Sequence, residues 1–287
     1  MKAKKRMVGI ALALLIGLVL LALCFLPGLF RGGTYYGRGL LTVTFLDVGQ
    51  AEATLIGTPE GDFILVDAGN QSDAGIVRDE LWLAGAERLA LAVATHPHED
   101  HIGAMPEVLA ERSAEALYLP DFDTSAYFCE RLLKTAAEEG IPARFPQTGE
   151  VIYERGGVCV TVAYNGADAE DANNASLMLR VTYGETSLLL VGDAEQPEEM
   201  RAIGADALLK ADILKLGHHG ARDASSDAFI EKVQPDIGVV SCGRSNDYGH
   251  PHGETLSKMA RYGIRLYRTD ESGTLRFASD GTSWELP

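Results

Sequence analysis

One nine-residue stretch, Thr95-His96-Pro97-His98-Glu99-Asp100-His101-Ile102-Gly103, constrains this chain more than any other part of it. Three imidazoles and a carboxylate fall within six residues of one another, directly after the unbroken apolar run 89–94. Such a run reads as a strand buried on both faces. The turn at its end therefore aims several nitrogens and an oxygen into one small volume. Imidazole together with carboxylate suits zinc, manganese or iron rather than calcium or magnesium alone.

The surrounding pattern places that turn in an α/β domain. Short β-rich runs at 41–47, 53–56 and 63–67 are followed by a helical pattern over 73–84. Further helices are expected at 106–111, 127–139, 196–203, 224–232 and 254–262, and further strands at 158–163, 177–183, 187–191, 213–216 and 237–241. Both types occur in both halves, which suits a sheet-on-sheet core with helices outside it. With 287 residues, 46% of them apolar, one large domain over 40–287 is expected.

The N-terminus reads differently. Lys2, Lys4, Lys5 and Arg6 precede an uncharged apolar run over 8–26 that continues loosely to residue 30. As a helix the run spans roughly 28 Å, close to the hydrocarbon thickness of a bilayer. The bases in front, against Arg31 and Arg38 behind, place a short tail (1–7) in the cytoplasm, a single-pass transmembrane anchor at 8–30, a glycine-rich linker at 31–39, and the large domain outside the cytoplasmic membrane. Leu-Pro-Gly-Leu-Phe offers no small-residue cleavage site, and Leu23 stands where lipidation of Cys24 would want a small residue. All 41 acids but only 21 of the 25 bases follow the run, a formal charge of −20 that disfavours a broad nucleic-acid-binding face. Cys129, Cys159 and Cys242 beyond it are odd in number and lack metal spacing, so they read as packed small residues.

The HxHxDH spacing of His96, His98, Asp100 and His101 resembles that of the metallo-β-lactamase superfamily, an αββα sandwich with one or two divalent metals, zinc or manganese, at the edge between its sheets. The resemblance implies further members of the site. Asp67, in Leu65-Val66-Asp67-Ala68-Gly69, would hold the ligand loop or a ligand imidazole. Asp193, in Leu190-Val191-Gly192-Asp193-Ala194-Glu195, would bridge two cations. The last ligand would be His218 or His219, with His218 weakly preferred and the other in support. The superfamily also places a histidine upstream of the bridging acid, where this chain reads Asp171-Ala172-Asn173-Asn174-Ala175-Ser176. That leaves the metal on His96 and His98 one protein ligand short, unless His250 or His252 approaches from the far end.

Asn173 with Ser176, the segment 215–220 and Tyr248-Gly249-His250-Pro251 are similar to the extracellular hydrolase domain of ComEC-type DNA-uptake proteins and their stand-alone relatives. Phe45-Leu46-Asp47-Val48-Gly49-Gln50 and Tyr267-Arg268-Thr269-Asp270 with Gly273 fit as well, whereas Ala51-Glu52 stands where that family commonly reads Gly-Asp. A single membrane segment replaces the family's multi-span channel, so DNA transport by this chain alone is not expected. What the likeness implies is a phosphodiesterase acting on DNA, with the DNA-uptake machinery as a partner. Asp100, His101, Asp193 and His218 would hold the better-formed metal. Lys215 or His250 would neutralise an oxyanion or protonate a leaving group, and Lys215, Arg222 and Arg244 would attract phosphate. Hydrolysis of another phosphoester, a lactone or a β-lactam is the alternative enzyme. A metal-poor binding or sensing module is the alternative without turnover.

Overall fold

The segments 63–66, 89–94 and 188–191 are apolar at every position, so each must be covered on both faces. The computed structural model, which describes residue 36 and residues 39–285, meets this with two sheets packed face to face and helices outside both. The first sheet begins with β1 (Leu41–Phe45), β2 (Ala53–Gly57), β3 (Phe63–Ala68), β4 (Leu91–Val93), β5 (Leu117–Tyr118) and β6 (Ala143–Arg144). The second is built from β7 (Val151–Arg155), β8 (Val158–Asn165), β9 (Leu177–Tyr183), β10 (Thr186–Leu190), β11 (Ile213–Lys215), β12 (Ile237–Val240) and β13 (Arg265–Arg268). The chain then returns to the first sheet with β14 (Leu275–Ser279) and β15 (Trp284–Glu285). Spatial order is β15-β14-β1-β2-β3-β4-β5-β6 in one sheet and β13-β12-β11-β10-β9-β8-β7 in the other. The expected tail and anchor, and nearly all of the linker, lie outside the described residues, among which no helix is long and apolar enough to cross a membrane.

In each sheet an antiparallel part meets a parallel part, β3 to β6 in the first and β10 to β13 in the second. Parallel neighbours need crossover connections, and helices supply them. On the first sheet these are α1 (Ala74–Ala84), α2 (Glu99–Ile102), α3 (Met105–Glu111) and α4 (Tyr127–Glu138); on the second they are α5 (Gln196–Gly204), α6 (Asp227–Val233) and α7 (Gly253–Tyr262). Alternation along each strand then divides the apolar residues. Ile64 and Val66 meet Leu188, Leu190 and Val239 between the sheets. Leu65 faces outward to Val77, Leu81 and Val108, and Leu189 faces outward to Phe229 and Met259. The result is the expected αββα sandwich.

The helix expected over 224–232 starts only at Asp227. Ser226 caps it by accepting from the Phe229 N–H, while the N–H groups of Ser225 and Ser226 are taken by the Glu199 carboxylate. Strands β7 and β13, the two edges of the second sheet, carry arginine and glutamate among their apolar residues. Charged edge strands protect a sheet from pairing with other chains, and the same charges hide these strands from a search for apolar runs.

Candidate metal centre

The chain leaves β4 at Thr95 and enters α2, so His96, His98, Asp100 and His101 all issue from one turn. Asp67, at the end of β3, is fully buried and sits in the left-handed backbone region, φ 55°. One of its oxygens accepts from the Thr95 N–H at 2.8 Å; the other accepts from the Thr95 hydroxyl at 2.7 Å and from His101 Nδ1 at 2.7 Å. This fixes the His101 tautomer. With Nδ1–H donated to Asp67, Nε2 is left to face Asp193, 3.2 Å away.

The second sheet supplies the opposing ligands. Asp193 follows β10 through Gly192, whose φ is 53° and whose missing Cβ would lie 2.7 Å from Ser176 Oγ and 3.0 Å from the Thr95 side chain. Only glycine fits both demands. The Asp193 N–H donates to Ser176 Oγ at 3.0 Å, and that hydroxyl donates to the Asn173 carbonyl at 2.7 Å. His219, beyond β11, donates Nδ1–H to the Ser241 carbonyl at 2.9 Å. Its Nε2 lies 3.2 Å from Asp100 Oδ2 and 3.6 Å from Asp193 Oδ2.

Asp100, His101, Asp193 and His219 thus each offer an atom within 4.8 Å of the others. His101 Nε2 and Asp193 Oδ1 are buried and have no aligned hydrogen-bond partner. Unsatisfied polar atoms of this kind are costly unless something else fills their coordination. Two imidazoles and two carboxylates suit a divalent zinc or manganese ion.

The charges of the centre hold one another. Burial opposes charge on His101, but Asp193 and Asp67 outweigh it and keep the imidazole well above its ordinary range. His219 is raised as well, burial being outweighed by Asp193 and by the bond to Asp100. For Asp193, burial acts to raise the pKa, but His101 and His219 hold it well below the usual carboxylate value. Asp100 is lowered in the same way, with His219 and His101 overcoming burial. His96, by contrast, is pushed far down by burial and by the His101 charge. A cation entering this site must displace the protons on His101 and His219. Affinity for zinc or manganese is therefore expected to rise with pH, about tenfold per unit for each proton released. Metal titrations from about pH 6 to about pH 9 check this, and a flat profile would contradict it.

Other expected residues lie where the sequence left room for doubt. The geometry reverses the preference between the paired histidines: His219, not His218, joins Asp100 and Asp193. His218 points Nδ1 toward Glu195 Oε1 at 3.2 Å and Asp223 Oδ1 at 3.8 Å, and its Nε2 is 3.9 Å from Asp193 Oδ2. His96 Nε2 is 3.2 Å from His98 Nδ1 and 3.8 Å from Asp193 Oδ2, and its Nδ1 faces the Thr95 and Ser176 hydroxyls. In the stretch 171–176, where the resemblance implies a further histidine, Asn173 lines the cleft and donates to Glu195 Oε1 at 3.1 Å. His250 also lines the cleft, whereas His252 turns away and accepts the Arg222 N–H at 3.0 Å.

Lys215 is not in the cleft. It is wholly buried and bonded to Glu52. Arg222 pairs with Glu254, and Arg244 donates to the Asp270 carbonyl. None of the three expected phosphate-attracting cations is among the described residues that line the cleft, about 510 Å³: Gln50, Asn70, His98, Glu99, Asp100, Asn173, Asp193, His218, His219, Tyr248 and His250. Sequence reasoning does not reach Gln50, Glu195 or Asp223 as site residues. Glu195 carries a signal, a second acid just past the end of β10; Asp223 sits in a polar turn with none. Gln50 is placed by its fold, its Oε1 accepting the Gly243 N–H at 3.0 Å so that Nε2 faces His250 Nδ1 at 3.3 Å.

The family model for the metallo-beta-lactamase superfamily matches residues 46–244. The chain is 29% identical to the ComE operon protein 3 of Bacillus subtilis, over 82% of this chain and 32% of that protein. It is 31% identical to the competence protein ComA of Neisseria gonorrhoeae, again over 82% of this chain and 32% of that protein. It spans about a third of the length of these curated relatives. Among solved structures, the metallo hydrolase Igni18 of Ignicoccus hospitalis superposes with a TM-score of 0.54 at 16% identity, covering 82% of this chain and 98% of that one. That likeness is one of fold.

Proposed function

Since the chain belongs to the metallo-beta-lactamase superfamily, we propose that it is a metal-dependent hydrolase that cleaves phosphodiester bonds of DNA at the outer face of the cytoplasmic membrane. The observation that carries this reading is the convergence of Asp100, His101, Asp193 and His219 beneath an open cleft. One or two divalent cations, zinc or manganese, supply when bound a Lewis acid and a water acidic enough to attack near neutral pH. The remaining work falls to side chains. His101 and His219 present Nε2 because Asp67 and Ser241 hold their Nδ1 protons. His250 is pushed down to about 4 by burial and by His219 and His218, so it is neutral at pH 7. With Nδ1 facing the Gln50 amide, its proton sits on Nε2, and it serves as a hydrogen-bond donor to a developing oxyanion rather than as a charge. Lys215 takes no direct part.

Three features support a nucleic-acid substrate and a membrane setting. Tyr248, 68% exposed at the cleft rim, stacks on His250 with ring centroids 5.6 Å apart, a surface on which a nucleobase can lie. The likeness to a competence protein, together with the resemblance to ComEC-type DNA-uptake proteins, supports DNA as substrate and DNA-uptake machinery as partner. The basic residues before the apolar run 8–30 support a single-pass anchor with the hydrolase domain outside.

A second reading rests on the cleft residues that are described, none of which is lysine or arginine. Without a fixed lysine or arginine among the described lining residues the pull on a polyanion is weak, which favours a smaller phosphoester, a lactone or a β-lactam. The test is cleavage of end-labelled single-stranded DNA by protein reloaded with manganese or zinc, with Asp100→Ala alongside. Cutting by the wild type, reduced about a hundredfold or more in the variant, is expected. Intact DNA under fully metallated protein would reject the nuclease and send the search to phosphoester and lactone panels. Failure to retain metal would favour a binding or sensing domain.

A further inference from the structure

Two buried charges have no place in the ligand cluster. Glu52 is 1% exposed and Lys215 0% exposed, and Lys215 Nζ donates to Glu52 Oε2 at 2.5 Å. Lys215 ends β11 in the second sheet, and Glu52 directly precedes β2 in the first, so the bond crosses from sheet to sheet. Withdrawing two charges from water costs more than their attraction returns unless the geometry is good, and well-packed apolar side chains often serve a core equally well. Packing alone therefore does not account for the pair.

Its surroundings do. The Glu52 N–H donates to the Asp100 carbonyl at 2.9 Å, and the Glu52 carbonyl accepts the Gly69 N–H at 2.8 Å, two residues beyond Asp67. Lys215 Nζ also donates to the Leu216 carbonyl at 3.2 Å, three residues before His219. The pair thus touches the backbone on both sides of the seam where Asp100, from the first sheet, meets His219, from the second. We propose that the Glu52–Lys215 ion pair fixes the spacing of the two sheets at this edge and so positions Asp100 and His219 to share one cation. The proposal rests on the reading of the edge as a metal site. Glu52 and Lys215 are positioning residues that reach the cation only through others.

The test compares the wild-type full chain in detergent with E52M/K215M, which replaces the pair by apolar side chains. Manganese affinity is read by competition with a chromophoric chelator, and the melting temperature of the metal-free protein is read beside it. The expected result is a melting temperature close to or above that of the wild type, with affinity lower by about 10- to 100-fold. Affinity within about threefold of wild type, well short of that loss, would overturn the proposal. Should the apolar pair fail to fold, E52Q/K215M is titrated in the same way, and wild-type affinity there would also overturn it. If neither neutral pair folds, the ion pair serves the fold rather than the metal edge and the proposal falls. If the wild type itself binds neither manganese nor zinc, the metal reading fails first.

Discussion

Asp193→Ala is expected to lower metal-dependent phosphodiester cleavage by on the order of a thousandfold or more, and to lower the metal retained per chain with it. Asp193 is the group that the two halves of the site share. Its Oδ1 faces His101 at 3.2 Å, and its Oδ2 lies 3.6 Å from His219 and 3.8 Å from His96. Removing it leaves three imidazoles converging on one point without the carboxylate that balances them. A cation held by Asp100, His101 and His219 would lose a ligand, and any cation on His96 and His98, expected to be one protein ligand short, would lose the Asp193 carboxylate as well. Asp193→Asn separates charge from shape. It keeps the side-chain volume but offers an amide that can present only one oxygen where two are needed. Metal content by atomic emission and cleavage rate, measured on the same samples after a cooperative melt is confirmed, decide the matter. Full metal occupancy with full activity in Asp193→Ala would remove this residue from the centre.

Much of this architecture is legible in the sequence, and the reasons differ by element. Strands β3 and β4 and the end of β10 are apolar on both faces because helices and a second sheet cover them, so they stand out as unbroken runs. The ligand turn after β4 is legible because metal geometry allows few residue types at close spacing. What is not legible depends on side-chain direction. Lys215 and His219 lie four residues apart in one motif, yet one points into the sandwich and the other into the centre. The choice between His218 and His219 turns on left-handed backbone at both, φ 48° and 53°, which no periodicity signals. Arg222 and Arg244 look close to the site in sequence, yet Arg222 reaches Glu254 and Arg244 the Asp270 carbonyl, and neither lines the cleft. The two-residue strands β5, β6 and β15 are too short to show any alternation.

The second large effect concerns stability as well as chemistry. Asp67→Ala is expected to destabilise the metal-free protein by about 3–5 kcal/mol, because the Thr95 N–H, the Thr95 hydroxyl and His101 Nδ1–H all lose their acceptor inside the core. Alanine would also have to hold φ 55°, a left-handed conformation that aspartate tolerates better than alanine. Denaturant unfolding of metal-free protein measures this, and a loss below about 1 kcal/mol would mean that water replaces the lost acceptor. Asp67→Asn isolates the effect on chemistry. Its carbonyl oxygen can serve the Thr95 N–H, but its amide then faces the Thr95 hydroxyl and His101 Nδ1 as a donor. The imidazole must accept there, which moves its proton to Nε2, the atom aimed at Asp193. Metal affinity should then fall by about 10- to 100-fold while most of the stability remains. Alanine removes the acceptor without imposing a tautomer, since the freed Nδ1 can take either role if water reaches it. A larger loss of affinity in Asp67→Asn than in a refolded Asp67→Ala would therefore locate the role of Asp67 in the proton it holds on Nδ1. An equal loss would locate it in the orientation of the ring.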